Sequence, residues 1–388
     1  MPNIDDILKK LDTYESKIHE LRELILANIV MIGEIPSPTF GEKNRVNFLL
    51  ERFSENSLIN CSTDEKGNAL GIIPGERGDK NIMIVAHTDC VFDEKIDHTI
   101  AVQPQYLSGP GIGDNALGVA TVASLPNILE HLGIKPKSNI ILMGSSQSLG
   151  RGDIAGLRFF LEKAKLPISA GLCVEGVKLG RLSYSSIGMI RCELRCEVPA
   201  EYDWTRFGAV GSIITINEVM NRILEIPLPK RPRCNIAFGS IEGGKSFNAL
   251  ASEAVLRFEI RSESGEMVSN VFKQITDITS EVSSFTGEDI TLNVLARRHP
   301  GGIDFSHPLS SASRQILSKM DIKPRISPST SELAAFIAKN IPALTIGLTT
   351  VENIDQLDEK IHIDPIFSGI AQLIALIEVI DRGDLIEA

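Results

Sequence analysis

The chain has 388 residues, of which 43% are hydrophobic and 23% are charged. This composition is typical of a folded globular protein, and domains of ~150 residues would divide the chain into two or three. With 39 basic and 50 acidic residues the net charge is −11. We expect no nucleic-acid partner, because nucleic-acid binding needs a basic surface.

No membrane partner is expected either. The start, MPNIDDILKK, carries two acids before any apolar run, unlike a signal peptide. The longest apolar stretches, such as residues 25–33, are far shorter than the ~20 residues of a membrane span. Six cysteines, none in a C-x-x-C pair, indicate reduced thiols and a cytoplasmic protein.

The first half of the chain alternates predicted helices and strands. Apolar residues at helical spacing predict one helix over 4–32, which Pro36 and Pro38 terminate. The further predicted helices are 41–54, 116–132 and 153–164, and the predicted strands are Ala69–Ile73, Ile82–Ala86, Ile140–Met143 and Ala170–Val174. This alternation predicts an α/β domain with a mostly parallel sheet.

The pattern changes after Gly188. The order strand, helix, strand, strand, helix, strand is typical of a ferredoxin-like α+β module. Its predicted elements are Ile190–Val198, 210–225, 234–241, 254–261, 265–284 and 289–296. Beyond Pro300 the α/β character returns, with a helix over 308–319, a strand at Ala343–Gly347 and a helix over 366–381. We therefore predict an α/β domain of residues 1–188 and 298–388, interrupted by an inserted domain of residues 189–297.

Polar side chains follow several predicted strands, where α/β sheets bind ligands. His87, Asp114 and Glu175 form a plausible nitrogen and oxygen set for a divalent metal. Asp89 could accept a proton from the His87 ring and orient it. The alternative is a hydrogen-bonded histidine at a strand end, because H-x-D is common by chance. A phosphate loop is disfavoured, since the glycine-rich segment 108–115 lacks lysine and carries an acid.

Taken together, these segments resemble a known family over about residues 20–385. It is the co-catalytic zinc peptidase and amidohydrolase family of carboxypeptidase G, aminoacylase, succinyl-diaminopimelate desuccinylase and peptidase T (peptidase family M20). His87 and Asp89 match its H-x-D signature, segment 111–115 matches G-x-G-x-x-D-[DNM] in compressed form, and Glu175 matches a metal-ligating acid. The resemblance implies zinc as cofactor, ligated by His87, Asp114 and Glu175, with a cis peptide after Asp114.

The resemblance extends to the inserted domain, which acts in the family as a lid and dimerisation domain. Asn248 and Arg261 match an Asn and an Arg that engage the substrate carboxylate, for which an arginine fork is a good partner. The resemblance thus implies a small peptide-like or N-acyl amino acid ligand and a homodimer formed through the lid.

Four positions depart from the family pattern. The family has a Glu-Glu pair, a general base followed by a second-site ligand, where this chain has Ser146 and Gln147. Asp355 stands at the position of the C-terminal metal histidine, and Tyr202 replaces the lid histidine. A serine cannot accept a proton from water at neutral pH as a glutamate does, and general-base catalysis contributes ~10²–10⁴-fold.

These departures leave three interpretations open. The first is a family member that binds one tight metal and a ligand but hydrolyses poorly, with a second site of Asp114, Gln147 and Asp355 that is empty or holds a harder ion. The second is an active hydrolase with a single or harder metal. The third is a non-catalytic interaction protein.

Overall fold

The computed structural model describes residues 4–198 and 210–383. Contacts divide the chain into two units. Unit one takes the chain up to Ser185 and again from Gly302 onwards, and unit two is Ser186–Gly301. The sequence suggested 189–297 for this inserted segment.

Helices and strands alternate along most of the described chain. The helices are α1 (Asp5–Leu8), α2 (Leu11–Glu20), α3 (Arg22–Gly33), α4 (Lys43–Glu55), α5 (Leu117–His131), α6 (Ala155–Lys163), α7 (Ser212–Leu224), α8 (Gly265–Thr286), α9 (Pro308–Lys319), α10 (Leu333–Ala338) and α11 (Asp364–Asp381). The first nine strands are β1 (Ile59–Thr63), β2 (Ala69–Ile73), β3 (Asn81–His87), β4 (Ala101–Val102), β5 (Tyr106–Ser108), β6 (Asn139–Ser145), β7 (Ala170–Val177), β8 (Arg181–Ser183) and β9 (Ser185–Ser186). The others are β10 (Gly188–Glu197), β11 (Cys234–Gly243), β12 (Glu253–Ser262), β13 (Asp289–Arg298), β14 (Gly301–Gly302), β15 (Arg325–Ile326), β16 (Ala343–Thr349), β17 (Val351–Glu352) and β18 (Lys360–His362).

Unit one is built on an eight-stranded sheet of order β1-β2-β6-β3-β7-β16-β8-β15. Its centre is parallel, because β3 pairs with β6 and β7, and β7 pairs with β16, all in the same direction. Antiparallel pairs lie towards the edges, at β1-β2, β2-β6 and β16-β8. The predicted α/β class with a mostly parallel sheet is confirmed.

The central strands are buried on both faces, and alternate residues enter different cores. On β3, Ile82 and Ile84 join the larger core with helices α3, α5, α9 and α11, whereas Met83 and Val85 join a second core with α6 and α10. Such all-apolar strands are typical of a sheet covered by helices on both sides. Their titratable metal-ligand candidates, His87 and Glu175, lie towards the carboxyl ends.

The N-terminal segment differs from the prediction of a single helix over 4–32. It forms three helices, with turns at residues 9–10 and at Leu21, where ψ is 15°. The turns let consecutive apolar stripes meet different neighbours: α2 packs on α11, and α3 packs on α5. Helical spacing predicts the apolar face correctly. It does not predict the positions of the two turns, because these depend on tertiary packing.

Unit two has a four-stranded antiparallel sheet of order β11-β12-β10-β13. With β10, β11, β12 and β13 as the first to fourth strands, this is the 4-1-3-2 order of a ferredoxin-like fold, read from the β13 edge. One face packs on α7 and α8. On the other face, charged residues of β10 and β12 form ion pairs. Arg191–Glu259 and Glu193–Arg257 join direct register partners, and Arg195–Glu253 is a diagonal pair.

Candidate metal centre

The sheet of unit one brings His87 and Glu175 side by side. Strands β3 and β7 are parallel neighbours in which Val85 pairs with Cys173. Two residues further on, the same register sets His87 at the end of β3 opposite Glu175. Both side chains emerge at the carboxyl edge of the sheet, where parallel α/β folds form ligand sites.

A tight turn of residues 112–116 ahead of α5 supplies the third group, Asp114. The neighbouring Asn115 bridges to β7, since its Nδ2 donates to the carbonyl of Val174 at 2.9 Å and its Oδ1 accepts from the amide of Gly176 at 2.8 Å. This amide thus holds the turn against the strand that carries Glu175. The Asp114–Asn115 peptide bond is cis, as the family resemblance implies.

His87, Asp114 and Glu175 form one compact group. Nε2 of His87 lies 3.0 Å from Oδ1 of Asp114 and 3.6 Å from Oε2 of Glu175. Among residues 4–198 and 210–383, these three form the one group of at least three His, Cys, Asp or Glu ligand atoms that all lie within 4.8 Å of each other. The His87 and Glu175 side chains are only 3% and 8% exposed, and that of Asp114 is 28% exposed. The group is therefore walled by protein and open on the Asp114 side.

The charges of the group are strongly coupled. Burial opposes a charge on His87, but Asp114, Asp89 and Glu175 outweigh it and hold the His87 pKa well above its usual value. Burial alone would raise the pKa of Glu175, whereas its bond to His87 and the charge of Arg181 lower it to about 2. Without a metal, the histidine therefore carries the positive charge that balances these carboxylates.

The donor set suits a divalent metal. Oδ1 of Asp114 is buried yet accepts no well-aligned hydrogen bond, and a coordinated cation would satisfy it. One imidazole nitrogen and two carboxylate oxygens match the ligands that zinc accepts, although three protein ligands alone leave an open position. His87, Asp114 and Glu175 are therefore the residues that would hold the ion.

Asp89 contacts the ring nitrogen of His87 that faces away from Asp114. Nδ1 of His87 is 3.0 Å from the Asp89 carbonyl oxygen and 3.4 Å from Asp89 Oδ1. Oδ2 of Asp89 accepts from Thr39 Oγ1 at 2.8 Å and from the amides of Ser148 and Leu149 at 3.0 and 2.8 Å. Asp89 contacts Nδ1 of the imidazole and Asp114 lies at Nε2. These two contacts fix the orientation of the ring.

The segment after β6 places Ser146 and Gln147. The Ser146 hydroxyl donates to the carbonyl of Gly67 at 2.8 Å, and its side chain is buried. The backbone amide of Gln147 donates to Glu42 Oε1 at 2.8 Å, while its side-chain Nε2 lies 3.4 Å from the carbonyl oxygen of Lys66. Neither residue belongs to the compact group.

Asp355 is largely exposed, and the partial desolvation of its carboxyl together with the negative charge of Asp114 raises its pKa. The nearby Glu359 is fully buried and accepts from the amide of Gly113 at 3.1 Å. Burial and the charge of Asp114 raise the pKa of Glu359 to about 8. The segment 355–359 therefore contributes two acids whose pKa values respond to the charge of Asp114.

Sequence reasoning missed several contacts of the centre. Ser331 donates its hydroxyl to Glu175 Oε1 at 3.0 Å, and Arg181 Nη1 lies 4.0 Å from the same oxygen. Glu332 is buried and accepts from Ser148 Oγ at 2.5 Å, and burial raises its pKa. No motif marked these residues, because serine and glutamate in a loop carry no characteristic spacing.

The remaining candidates belong to unit two or lie outside the description. Asn248 is exposed and accepts from Ser246 Oγ at 3.1 Å. Arg261 lies on β12, where its Nε donates to Glu259 Oε2 at 2.7 Å. Tyr202 falls in 199–209, outside the described residues.

Comparisons with known proteins identify the family of this chain. The model of a family described as peptidase family M20/M25/M40 matches residues 83–379. A comparison with curated proteins finds no match. No helix in the described part of the chain is long and apolar enough to span a membrane.

Three similar solved structures illustrate the fold. The dipeptidase Dug1p from Saccharomyces cerevisiae has a TM-score of 0.78 at 12% identity, covering 96% of this chain and 98% of its own. A Staphylococcus aureus tripeptidase has a TM-score of 0.75 at 17% identity, with coverages of 93% and 99%. A Bacillus subtilis protein described as a dinuclear metal binding peptidase of the M20 family has 0.64 at 13%, with 93% and 98%. With a family model covering well over half of its length, the chain belongs to peptidase family M20/M25/M40.

Proposed function

We propose that this chain is a single-metal member of the family that binds a small peptide-like or N-acyl amino acid ligand and hydrolyses it poorly. The observation that carries the proposal is at the position of the general base. There the Ser146 hydroxyl donates to the Gly67 carbonyl at 2.8 Å, while the group of His87, Asp114 and Glu175 stays together within 4.8 Å.

A zinc ion bound by His87, Asp114 and Glu175 would act as a Lewis acid and lower the pKa of a coordinated water. The chain must still remove a proton and transfer it. A serine hydroxyl does not accept a proton near neutral pH, and the proton of Ser146 is already donated to Gly67. The missing base alone removes ~10²–10⁴-fold in rate.

One tight metal is the expected stoichiometry. A second ion would need Gln147 and Asp355, together with Asp114. The amide of Gln147 is neutral and lies by the Lys66 carbonyl, and neutral amide oxygens suit Mg²⁺, Mn²⁺ or Ca²⁺ better than zinc. The second site is therefore weak, and either empty or occupied by a harder ion.

Asn248 and Arg261 would engage the carboxylate of the ligand. Arg261 is ion-paired with Glu259, which also pairs with Arg191 at 2.6 Å. This pairing holds the guanidinium in place before any ligand arrives, and it leaves further N–H groups of the fork for a carboxylate. The family resemblance implies the same ligand class, a small peptide-like molecule or an N-acyl amino acid.

A second candidate function is an active hydrolase with a single or harder metal. It is favoured by two buried carboxyls, Glu332 and Glu359, which lie in the electrostatic range of the metal group. The chain thus lacks the family's general base at residue 146, but it has other acidic side chains around the metal group. This candidate predicts amide hydrolysis that both chelators and His87→Ala abolish.

Metal stoichiometry tests the proposal directly. Protein purified without added metal is reconstituted with Zn²⁺ or Mn²⁺, desalted and measured by elemental analysis beside His87→Ala and the surface control His131→Ala. One metal per chain, lost only in His87→Ala, supports a single site. Two tightly held metals contradict it and favour the active hydrolase. No metal favours the non-catalytic interaction protein.

Restoring the family residues tests the missing chemistry. The triple variant Ser146→Glu, Gln147→Glu and Asp355→His should bind two zinc ions and hydrolyse dipeptides or N-acyl amino acids at least ~10²-fold faster than the natural chain. Gln147→Glu with Asp355→His, leaving Ser146 in place, is the matched control that restores the ligands but not the base. Two bound metals without a gain in rate would contradict the proposal.

We also propose a homodimer through unit two and a cytoplasmic location. Strand β11 is an edge of its sheet within the described residues, and edge strands can pair across subunits. Three large apolar side chains near it are 43%, 54% and 53% exposed; they are Ile213, Ile214 and Ile241. A second copy of the chain would cover them.

All six cysteines are free, which suits a reducing compartment.

A further inference from the structure

The turn that leads into α10 reaches both sides of the metal group. Its two consecutive residues Ser331 and Glu332 lie directly before the helix, and Glu332 is 2% exposed. Neither belongs to a family motif recognised in the sequence, and neither is a metal ligand. Each nevertheless contacts a residue that determines where a ligand atom points.

Ser331 fixes the orientation of Glu175. The two oxygens of this carboxylate have different surroundings: Oε2 is 3.6 Å from His87 Nε2, whereas Oε1 accepts the Ser331 hydroxyl at 3.0 Å. Arg181 lies 4.0 Å from Oε1 as well. The hydroxyl and the cation hold Oε1 away from the centre, so that Oε2 is the oxygen presented to an ion.

Glu332 acts on the opposite side, through Ser148 and Asp89. Its Oε1 accepts the Ser148 hydroxyl at 2.5 Å, and the amide of Ser148 donates to Asp89 Oδ2 at 3.0 Å. Asp89 in turn contacts Nδ1 of His87. The chain Glu332–Ser148–Asp89–His87 therefore connects a buried carboxyl group to the ring that presents Nε2.

We propose that Ser331 and Glu332 are positioning residues that set the affinity and the coordination geometry of the metal centre from one turn. This inference rests on the proposed function insofar as the group of His87, Asp114 and Glu175 binds a metal. Residues that orient metal ligands change affinity by about 10–100-fold when they are replaced. We expect that range for Ser331→Ala and for Glu332→Gln, and a larger loss for the two together.

The experiment measures the Zn²⁺ dissociation constant of the full chain by competition with a chromophoric chelator. It also records the visible absorption of the Co²⁺-substituted protein, which reports ligand geometry rather than stability. The matched controls are Ser368→Ala and Glu15→Gln, because Ser368 donates to Glu15 at 2.7 Å in the same unit as an ordinary serine–glutamate pair. Ser331→Thr keeps the hydroxyl and should restore the affinity and the spectrum.

The outcomes separate this inference from the proposed function. Weaker binding by about 10–100-fold with an altered Co²⁺ spectrum, in the turn variants and not in the controls, supports it. Unchanged affinity and spectrum in Ser331→Ala and Glu332→Gln overturn it and leave single-metal binding intact. Natural chain that binds no Zn²⁺ or Co²⁺ overturns both. If Glu332→Gln fails to fold, Ser331→Ala and its threonine rescue decide alone.

Discussion

Arg45 is a charged side chain with no exposed surface, and it lies directly behind the metal group. Its Nη1 donates to the carbonyl of Thr88 at 2.9 Å and its Nη2 to that of Ile35 at 2.7 Å. Burial lowers its pKa, and the charge of Asp89 counteracts that effect. The guanidinium thus fixes the backbone between His87 and Asp89 through its hydrogen bond to the Thr88 carbonyl.

Arg45→Met should lower the free energy of unfolding by about 3 kcal/mol, because it leaves two carbonyls without their donor and removes the buried positive charge that interacts with Asp89. Chemical denaturation of the metal-free protein measures the change. Arg52→Met is the control, since Arg52 forms a partly exposed pair with Glu55, and such pairs contribute below about 1 kcal/mol. Equal effects of the two variants would contradict this role of Arg45.

Glu259 offers a pH test within unit two. Although burial opposes its charge, Arg191 and Arg261 hold its pKa below the ordinary value of 4.5. A carboxylate with a lowered pKa stabilises the fold above its unfolded pKa, and that contribution disappears as the pH falls through the folded pKa. Its effect should therefore be present at pH 7 and absent in acid.

Glu259→Gln should lower the melting temperature at pH 7, and the gap from the natural chain should narrow below pH 4.5. Thermal unfolding at several pH values measures this gap. Glu253→Gln is the control, because Glu253 pairs with Arg195 at the exposed side of the same ladder. A gap that stays constant with pH would show that the charge of Glu259 is not what stabilises the fold.

At this scale, the residues that could be predicted are those with a chemical signature. His87, Asp114 and Glu175 each follow an apolar run or a glycine turn, and the fold brings them together. Ser331 and Glu332 could not be predicted, because their partners are 156 and 184 residues away. Those pairs exist only once β7, the segment after β6 and the turn before α10 are assembled.

At the scale of elements, β7 and the turn of residues 112–116 approach each other more closely than a side chain allows. An ideal Cβ on Gly176 would lie 2.1 Å from the carbonyl oxygen of Gly113 and 3.0 Å from Leu117 Cβ. Real Cβ atoms do not come that close, so any other residue displaces the turn. That turn carries Asp114.

Gly176→Ala should therefore destabilise unit one by about 1–3 kcal/mol, the usual cost of overpacking, and weaken zinc binding as well. The free energy of unfolding and the zinc dissociation constant are measured together. In Gly239→Ala the nearest atom to the new methyl is an oxygen at 3.5 Å, so this control should leave zinc affinity unchanged. Tight zinc binding by Gly176→Ala would contradict the argument.

The elements that could be predicted are those with a strong period of their own. The buried strands β3, β6 and β7 and the long helices α5, α8 and α11 follow from runs of apolar residues. The short strands β4, β5, β17 and β18 could not be predicted, because two or three residues carry no period. They form a small sheet by pairing with each other, and this pairing is what defines them.

At the scale of the whole molecule, the proposed dimer is the property most open to measurement. Light scattering on a size-exclusion column should give twice the chain mass for the natural protein. Ile214→Lys with Ile241→Lys should give the single mass, because both side chains are more than half exposed and charges there oppose burial against a second copy. Phe285→Lys, at the C-terminal end of α8 and also exposed, is the control that should remain dimeric. A monomeric natural chain would contradict the proposal.

The position of β16 in the sheet has a consequence for how the protein is made. This strand lies between β7 and β8, although it is synthesised more than 150 residues after β7. Unit two is one continuous stretch and is complete when Gly301 leaves the ribosome. Translation proceeds at about 5–20 residues per second, so β16 and α11 arrive seconds later. During that interval one edge of β7 has unpaired backbone N–H and C=O groups, and a chaperone that covers this edge would protect the nascent chain until β16 and α11 emerge.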